Sequence, residues 1–242
     1  MTNQKVIMIT GASKGLGRAL TLAFAEKGYS LAICARGLEK LLQVKKEALE
    51  KGAQEVLAIQ ADGAKEEDVD RFISITESAF GKIDVLIVNA SIFGPGPTLL
   101  SDYPVNELKQ VLDVNILHPF LTIRRVLPGM IVNQSGKIFA ITSEAGKTGF
   151  ATWGAYGISK FAVEGLIQTW SDELEGTNIS ISLIDPGEMD TEMHHIAVPD
   201  CDYELSAPEE VAKVIRFLAS SDAQFIHGQR IQAQQFQGGE TI

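Results

Sequence analysis

The sequence predicts an α/β fold in which a doubly wound parallel sheet of about seven strands lies between two helical layers, a three-layer α/β/α architecture. Short runs rich in β-branched residues alternate along the chain with longer segments of helical periodicity. The runs lack the in-and-out alternation of a half-solvated strand. We therefore expect helices to cover both faces of the sheet.

The predicted strands are seven short apolar runs, at residues 6–10, 30–35, 55–59, 84–88, 137–142, 179–184 and 230–233. Apolar residues at helical spacing from Leu16 to Phe24 predict a first helix that ends at Gly28, and a second helix covers residues 38–51. No repeat or linker interrupts the pattern, so we expect one domain over residues 1–242. The acidic segment 188–206 breaks the alternation and is too long for a routine connection, which indicates a lid.

The composition argues against a nucleic-acid partner. The 242 residues include 31 acidic and 21 basic side chains, a net charge of −10, and no basic stripe that could follow a phosphate backbone. Cys34 and Cys201 lack the spacing of a disulfide framework or a thiolate zinc site. No signal-like start and no run of eighteen apolar residues occurs, so we expect a cytoplasmic protein without membrane contact.

A glycine-rich turn follows the first predicted strand, with the sequence Thr10-Gly11-Ala12-Ser13-Lys14-Gly15-Leu16-Gly17. The helix that it opens offers free N–H groups and a dipole to a pyrophosphate, and glycines let the backbone come close to phosphate oxygens. Three glycines alone are weak support, and a plain strand-to-helix turn is the alternative. Their position between a strand and a helix favours a dinucleotide site on a Rossmann fold.

The end of the second strand favours NADP(H) over NAD(H). NAD sites usually carry Asp or Glu at this point for the ribose hydroxyls, whereas a cation accommodates the extra phosphate of NADP. This strand ends in Arg36, and Lys14 in the glycine loop adds a second positive charge. The alternative is that Arg36 is a surface residue leading into the next helix.

Tyr156 and Lys160 stand at i and i+4 of a predicted helix, so both side chains lie on one face. A lysine cation there favours the tyrosinate, and we expect it to bring the pKa of Tyr156 closer to the working pH, as acid/base catalysis requires. The same spacing is common on helix surfaces, so the pair alone is weak support.

Together these motifs resemble the short-chain dehydrogenases/reductases of the single-domain type, and the resemblance covers essentially the whole chain. It extends to Asp62, Asn89-Ala90 and Ser143 after the third, fourth and fifth strands, to Asn115 in a later helix, and to Pro186-Gly187 with Thr191 after the sixth strand. The resemblance implies hydride transfer between a nicotinamide and a carbonyl or alcohol carbon.

The resemblance also implies roles for individual residues. Tyr156 is similar to the general acid that protonates the carbonyl oxygen, and Ser143 to the hydroxyl that hydrogen-bonds that oxygen. Lys160 resembles the residue that binds the nicotinamide ribose, and Asn115 the one that holds a water in a proton relay. The expected cofactor site comprises Gly11, Ser13, Lys14, Gly15, Leu16, Gly17, Arg36, Asp62, Asn89, Ala90, Tyr156, Lys160, Pro186, Gly187, Met189 and Thr191.

Two positions depart from the family's pattern. Ser91 stands where the family's N-A-G motif has glycine, and we expect a local adjustment to its hydroxymethyl group. The strand that follows Gly228 matches the usual C-terminal motif only at its start, and residues 234–239 diverge from it. This second departure concerns a subunit interface rather than the chemistry.

Residues that follow strand ends line the cleft of open α/β sheets. The predicted substrate pocket consists of apolar side chains of this kind, namely Ile92, Phe93, Phe150, Trp153, Met189 and Met193. It would admit an aromatic or aliphatic carbonyl compound under a substrate lid at 188–206, although each side chain could equally be a core or subunit contact. Glu144 and the acidic lid would disfavour a strongly anionic substrate such as a carrier-bound acyl thioester.

The histidines are not expected to act in catalysis. His194 and His195 lack the i, i+4 spacing of a helical ligand pair, so we expect no metal site. His118 and His227 are predicted to lie in turns or interfaces.

Two functions of different classes fit the sequence. The first is an NADP(H)-dependent oxidoreductase acting on a small carbonyl or secondary-alcohol compound through Asn115, Ser143, Tyr156 and Lys160. The second is a dinucleotide-binding sensor with little turnover, which the same fold permits. Sensors tend to lose the acid and its lysine, and both are present here. The family resemblance also implies a homodimer or homotetramer.

Overall fold

The computed structural model describes residues 5–221, 223 and 225–236, and it contains one parallel sheet of seven strands. The strands are β1 (Val6–Thr10), β2 (Ser30–Ala35), β3 (Glu55–Gln60), β4 (Val85–Val88), β5 (Gly136–Ile141), β6 (Ile179–Asp185) and β7 (Arg230–Gln232). Every predicted strand is present, with ends that differ by at most one residue. The predicted doubly wound α/β fold is confirmed.

Eight helices connect the described strands and flank the sheet. They are α1 (Gly15–Ala25), α2 (Leu38–Glu50), α3 (Glu66–Phe80), α4 (Val105–Leu112), α5 (His118–Asn133), α6 (Gly154–Glu173), α7 (Glu192–Ala197) and α8 (Pro208–Ala219). A π-helical turn, Asp113–Leu117, joins α4 to α5.

Successive residues of the central strand β1 serve two separate cores. Ile7 and Ile9 pack with α1, α2 and α8 on one face, whereas Met8 packs with α3, α5 and α6 on the other. All three side chains are completely buried, and each contributes roughly 1.5–3 kcal/mol through the removal of apolar surface from water. Burial on both faces explains why the strand sequences show no polar alternation.

The apolar stripe of α6 faces the sheet. Val163, Ile167 and Trp170 belong to the core beneath α3 and α5, whereas Ile158 and Phe161 on the same helix are exposed. This apolar stripe is therefore part of the core.

The segment 188–206 contains structure that the sequence pattern did not predict. Helix α7 lies within it, and the Thr191 hydroxyl caps this helix by accepting a hydrogen bond from the His194 N–H at 3.2 Å. A bridge between Met189 and Ser206 closes the base of the segment. Six helical residues are too few to show a period.

The strand order β3-β2-β1-β4-β5-β6-β7 reverses between β1 and β4. At such a switch point the loops leave the sheet in opposite directions and open a crevice outside the carboxyl ends of the strands. None of the described helices is both long and apolar enough to cross a bilayer. Of the divergent tail, residues 237–239 lie outside the described part of the chain, and Gln234 donates a hydrogen bond to the Glu188 carbonyl oxygen at 2.6 Å.

Candidate active site

A cleft of about 1240 Å³ opens at the carboxyl ends of the strands. Its walls are the glycine loop after β1, the loops after β2 to β6, and the 188–206 segment. Every predicted cofactor and pocket residue lines this cleft, as do Ser143, Tyr156 and Lys160. Asn115 is the one predicted site residue that is absent from the lining.

The glycine loop fits a dinucleotide because its backbone is tightly packed and its helix end is free. A Cβ on Gly11 would lie 2.7 Å from the Ala90 Cα, and a Cβ on Gly17 would collide with the Gly11 carbonyl oxygen. Helix α1 begins at Gly15 without a side-chain cap and without an acidic residue in its first turn. Its first N–H groups can therefore receive a pyrophosphate.

Asn89 holds the glycine loop in place from the neighbouring strand. Its Nδ2 donates to the carbonyl oxygens of Thr10 at 2.9 Å and Gly11 at 3.2 Å. The Thr10 hydroxyl in return accepts from the N–H groups of Asn89 and Ala90. The side chain thus shapes the loop, while Ala90 supplies the wall of the cleft.

Three cations line the phosphate end of the cleft: Lys14, Arg36 and Lys40. The sequence analysis missed Lys40, although it stands one helical turn after Arg36. Lys14 is already engaged, because its Nζ lies 2.7 Å from Glu192 Oε2 on the lid helix α7. This ion pair ties the glycine loop to the lid and was not predicted.

His118 is buried, and the prediction of a turn or interface position was wrong. Its side chain is 1% exposed, lines the cleft, and lies so close to Gly63 that a Cβ there would approach His118 Cδ2 to 2.5 Å. Burial lowers the pKa of His118 to about 4, so the ring is neutral at neutral pH. His118 is the first residue of α5, and its ring packs against Gly63.

Three of the four side chains that are predicted to act in catalysis come from two elements. Ser143 follows β5, and Tyr156 and Lys160 lie one turn apart on α6. The Ser143 side chain lies close enough to the Tyr156 hydroxyl to lower its pKa. The Lys160 ammonium donates to the Ile141 carbonyl oxygen at 2.9 Å and lies 5.3 Å from the centroid of the Tyr156 ring.

The prediction that the pKa of Tyr156 lies closer to the working pH was wrong for this chain. Burial raises the pKa of Tyr156 to about 12; Asp185 adds to the rise and the nearby Ser143 hydroxyl opposes it. Burial likewise lowers the pKa of Lys160 to about 8, against the pull of Asp185 and Glu164. Both side chains are almost fully enclosed, and desolvation disfavours whichever form is charged. Sequence spacing does not reveal this burial.

Asn115 lies in the π-helical turn and bonds to protein groups rather than facing the cleft. Its Oδ1 accepts from the Ile92 N–H, and its Nδ2 donates to the Ile92 carbonyl oxygen and to Ser159 Oγ, each at 2.9 Å. The side chain therefore fixes the loop after β4 to helix α6. It has no free N–H group with which to hold a water.

An aromatic wall stands beside the Tyr156 hydroxyl. The Trp153 ring lies 5.4 Å from Phe93, 5.3 Å from Phe150 and 5.9 Å from Tyr156, centroid to centroid. Phe93 is buried behind this wall and Phe150 is 43% exposed at its edge. The Ser91 hydroxyl, at the position where the family has glycine, is buried without a hydrogen-bond partner in the described structure.

Lid histidines pair with lid carboxylates. His194 Nε2 lies 3.2 Å from Glu188 Oε1, and His195 Nε2 lies 2.8 Å from Asp190 Oδ1. Within residues 5–221, 223 and 225–236, no group of three or more His, Cys, Asp or Glu side chains is arranged to hold a metal ion.

Comparisons with known proteins agree with this geometry. The family model of the short chain dehydrogenases matches residues 5–202. A 3-oxoacyl-[acyl-carrier-protein] reductase from Staphylococcus epidermidis is 32% identical over 236 residues, which cover 94% of this chain and 96% of the relative. The chain belongs to the short-chain dehydrogenases, a family of nicotinamide-dependent oxidoreductases.

Solved structures give the same result. A short chain dehydrogenase from Pseudomonas syringae superposes with a TM-score of 0.90 at 35% identity, covering 95% of this chain and 94% of its own. A Shigella flexneri short chain dehydrogenase complexed with NADP has a TM-score of 0.90 at 27% identity, with 96% and 98% covered. An NAD+-bound xylitol dehydrogenase has a TM-score of 0.86 at 27% identity, with the same shares covered.

Proposed function

We propose that the chain is an NADP(H)-dependent carbonyl reductase that transfers a hydride between the nicotinamide and a bulky apolar ketone or secondary alcohol. The observation that carries this proposal is that the neighbouring side chains of Ser143 and Tyr156 line one cleft together with the glycine loop and the aromatic wall. A carbonyl compound seated against Trp153 would present its oxygen to both hydroxyl groups.

Ser143 and Tyr156 divide the work on that oxygen. Ser143 Oγ accepts a hydrogen bond from the Ala145 N–H at 3.2 Å, which leaves its own proton to donate to the substrate oxygen. Tyr156 is protonated at neutral pH because burial raises its pKa to about 12, so it enters the reduction as an acid. A bound NADPH would supply the hydride to the carbonyl carbon, and Tyr156 would supply the proton to the oxygen.

Lys160 and Asn115 support this arrangement. The Lys160 ammonium, fixed on the Ile141 carbonyl oxygen, stabilises the negative charge that Tyr156 carries after it gives up its proton. The Asn115 side chain keeps the loop after β4 against α6, and its occupied Nδ2 would not donate to a relay water. The four residues thus keep the roles that the resemblance implies, except for the Asn115 side chain.

The preference for NADP(H) rests on charge. Arg36 and Lys40 line the cleft just beyond β2, and no carboxylate stands at the end of that strand. The extra phosphate of NADP would lie near Arg36 and Lys40. This holds even while Lys14 remains paired with Glu192. Related structures include both an NADP complex and an NAD+ complex and therefore do not decide between the two cofactors. The proposed preference is argued from the residues of this chain.

The substrate is expected to be uncharged. Glu144 lines the cleft beside Ser143, and Glu188, Asp190 and Glu192 border it from the lid. These carboxylates repel an acidic carrier protein or a strongly anionic thioester. The substrate therefore differs from that of the 3-oxoacyl relative.

A homo-oligomer in the cytoplasm is also part of the proposal. Phe120 on α5 and Ile158 and Phe161 on α6 are exposed on adjacent helices, a pattern typical of a subunit interface. Sedimentation equilibrium would show a dimer or tetramer, and a monomer at micromolar concentration would contradict this part.

The experiment that tests the proposal measures the loss of nicotinamide absorbance with NADPH, and separately with NADH, against ketones, aldehydes, diketones and β-ketoesters. We expect faster consumption with NADPH and with aromatic ketones or diketones. If the protein binds NADPH tightly but consumes no NADPH with any of these compounds, the result would contradict the proposal and favour the sensor function.

A further inference from the structure

The C-terminal strand sends one arginine into the back of the active site. Arg230 begins β7, and its side chain is 10% exposed. Its Nε donates to Glu164 Oε1 at 2.9 Å, and its Nη2 donates to Asp185 Oδ2 at 2.9 Å and to the Ser143 carbonyl oxygen at 3.0 Å. One side chain thereby connects β7, β6, α6 and the loop after β5.

The partners of Arg230 sit beside the catalytic side chains. The carbonyl oxygen that accepts from Arg230 belongs to Ser143, whose hydroxyl lies near the Tyr156 hydroxyl. Glu164 stands one helical turn after Lys160 on α6 and accepts a hydrogen bond from the Thr142 hydroxyl at 2.7 Å. The loss of Arg230 would therefore free both the Ser143 backbone and two carboxylates next to Lys160.

Four buried charges balance each other in this cluster. Lys160, Glu164 and Asp185 are 3%, 7% and 5% exposed, and Arg230 supplies the second cation. With Arg230 in place, each carboxylate has its own bond to the guanidinium, and the Lys160 ammonium is free to bond to the Ile141 carbonyl oxygen. Without it, Lys160 would face two unpaired carboxylates, which would draw the ammonium away from Tyr156.

Stability alone does not account for such a cluster. A buried ion pair recovers little more than the cost of removing its charges from water, and apolar replacements are often equally stable. Arg230 Nη1 is moreover buried with no hydrogen-bond partner in the described structure, which adds to that cost. We therefore expect the cluster to contribute by positioning the active-site residues that it contacts.

We propose that Arg230 is a positioning residue of the active site, which holds the Ser143 carbonyl and engages Asp185 and Glu164 so that the Lys160 ammonium stays beside Tyr156. The inference rests on the proposed reductase function and concerns a residue that touches neither substrate nor cofactor. Arg230 lies outside the cleft lining and acts through the residues that form it.

The first test compares Arg230→Met, Arg230→Gln and Arg230→Lys in NADPH-dependent reduction of 1-phenyl-1,2-propanedione across pH. For Met and Gln we expect kcat to fall ~10- to 100-fold, because small displacements of catalytic groups have effects of this size, with the KM for the diketone changed less than threefold. Arg230→Lys should recover part of kcat.

The pH profile separates positioning from a merely structural role. Unpaired carboxylates at Asp185 and Glu164 stabilise the Lys160 ammonium, so the limb that reports Lys160, whose pKa burial lowers to about 8, should move to higher pH in Arg230→Met and Arg230→Gln. His118 and Glu144, the other titratable groups facing this cluster, are kept in every variant. Adding Asp185→Asn to Arg230→Met should return the limb toward the wild-type pH.

Arg125→Met is the matched control. Arg125 also joins two elements through several partners, Asp70, Ser74 and Glu77, but none of these partners lines the cleft. It should leave kcat and the pH limb unchanged. The proposal is wrong if a folded Arg230→Met or Arg230→Gln keeps kcat within threefold and the limb in place, or if Arg125→Met shows the same losses.

A second readout keeps this inference separate from the reductase function. NADPH binding is followed by the quenching of Trp153 fluorescence, which requires no turnover. If the wild type reduces no compound, the reductase proposal fails, but Arg230→Met should still bind NADPH at least ~5-fold more weakly, with recovery in the Asp185→Asn double variant, because displaced groups lose ligand contacts. An unchanged Kd would overturn the role of Arg230.

Discussion

The Lys160 ammonium donates to the Ile141 carbonyl oxygen at 2.9 Å while lying 5.3 Å from the centroid of the Tyr156 ring. One hydrogen bond to the end of β5 thus fixes a buried cation beside the proposed acid. Burial lowers the pKa of Lys160 to about 8, because removing the ammonium from water disfavours its charged form. The arrangement has consequences for both stability and catalysis.

Lys160 should make the folded protein more stable as the pH rises from about 8 to 10. In this range the folded state releases the Lys160 proton, whereas the unfolded chain, with an ordinary pKa of 10.5, retains it. The free energy of unfolding therefore rises with pH through this window, by roughly 3 kcal/mol at most. Urea unfolding at several pH values should show this rise in the wild type and not in Lys160→Met. Parallel curves for the two proteins would contradict the prediction.

Glu192→Gln should strengthen NADPH binding. The substitution frees Lys14, whose partner on the lid lies 2.7 Å away, to meet the phosphates of the cofactor. Exposed ion pairs contribute about 0.2–1 kcal/mol, so the Kd for NADPH should fall roughly two- to fivefold. Asp190→Asn removes another exposed lid carboxylate, paired with His195, and serves as the control. Equal effects of both variants would show that overall lid charge, rather than Lys14, is responsible.

Arg36→Ala should reduce the preference for NADPH. A charge-assisted hydrogen bond to a phosphate is worth about 1.5–3 kcal/mol, so kcat/KM with NADPH should fall about 10- to 100-fold while kcat/KM with NADH stays within threefold. Arg18→Ala removes a cation that pairs with Glu47 outside the cleft lining, and should change neither value. An Arg36→Ala variant that still prefers NADPH to the wild-type extent would overturn the charge argument.

Trp153→Ala should change which ketones are reduced. Its ring lies against both Phe93 and Phe150, so its removal opens the aromatic wall beside the Tyr156 hydroxyl. We expect kcat/KM for aromatic ketones to fall at least ~10-fold and that for small aliphatic ketones to change little, because a lost large apolar contact is worth several kcal/mol at most. Phe150→Ala, at the exposed edge, should have a smaller effect in the same direction. An unchanged substrate profile in both variants would show that the pocket lies elsewhere.

The sequence predicts the sheet well because its signal is local. Strand β1 consists of four apolar residues and Thr10 between a polar start and a glycine turn, and both of its faces are buried, which matches the lack of polar alternation in its sequence. Helix α7 was missed for the opposite reason, since six residues carry no period and its cap, Thr191, resembles any loop threonine.

The site residues that belong to short sequence motifs could be predicted. Contacts between residues that are far apart along the chain could not. The glycine loop, Tyr156 and Lys160 come from short motifs. Arg230 and Asp185 are 45 positions apart, and nothing in either local sequence indicates their ion pair. The pKa of Tyr156 was predicted in the wrong direction because desolvation depends on the whole surrounding fold.

The central claim is that Tyr156 gives its proton to the substrate oxygen. The most direct test measures kcat for NADPH-dependent reduction of the best ketone by Tyr156→Phe, together with NADPH binding by fluorescence. Since acid catalysis contributes about 10²- to 10⁴-fold, we expect kcat to fall by that factor while the Kd for NADPH stays within threefold. A Tyr156→Phe protein that reduces the ketone at close to the wild-type rate would contradict the account.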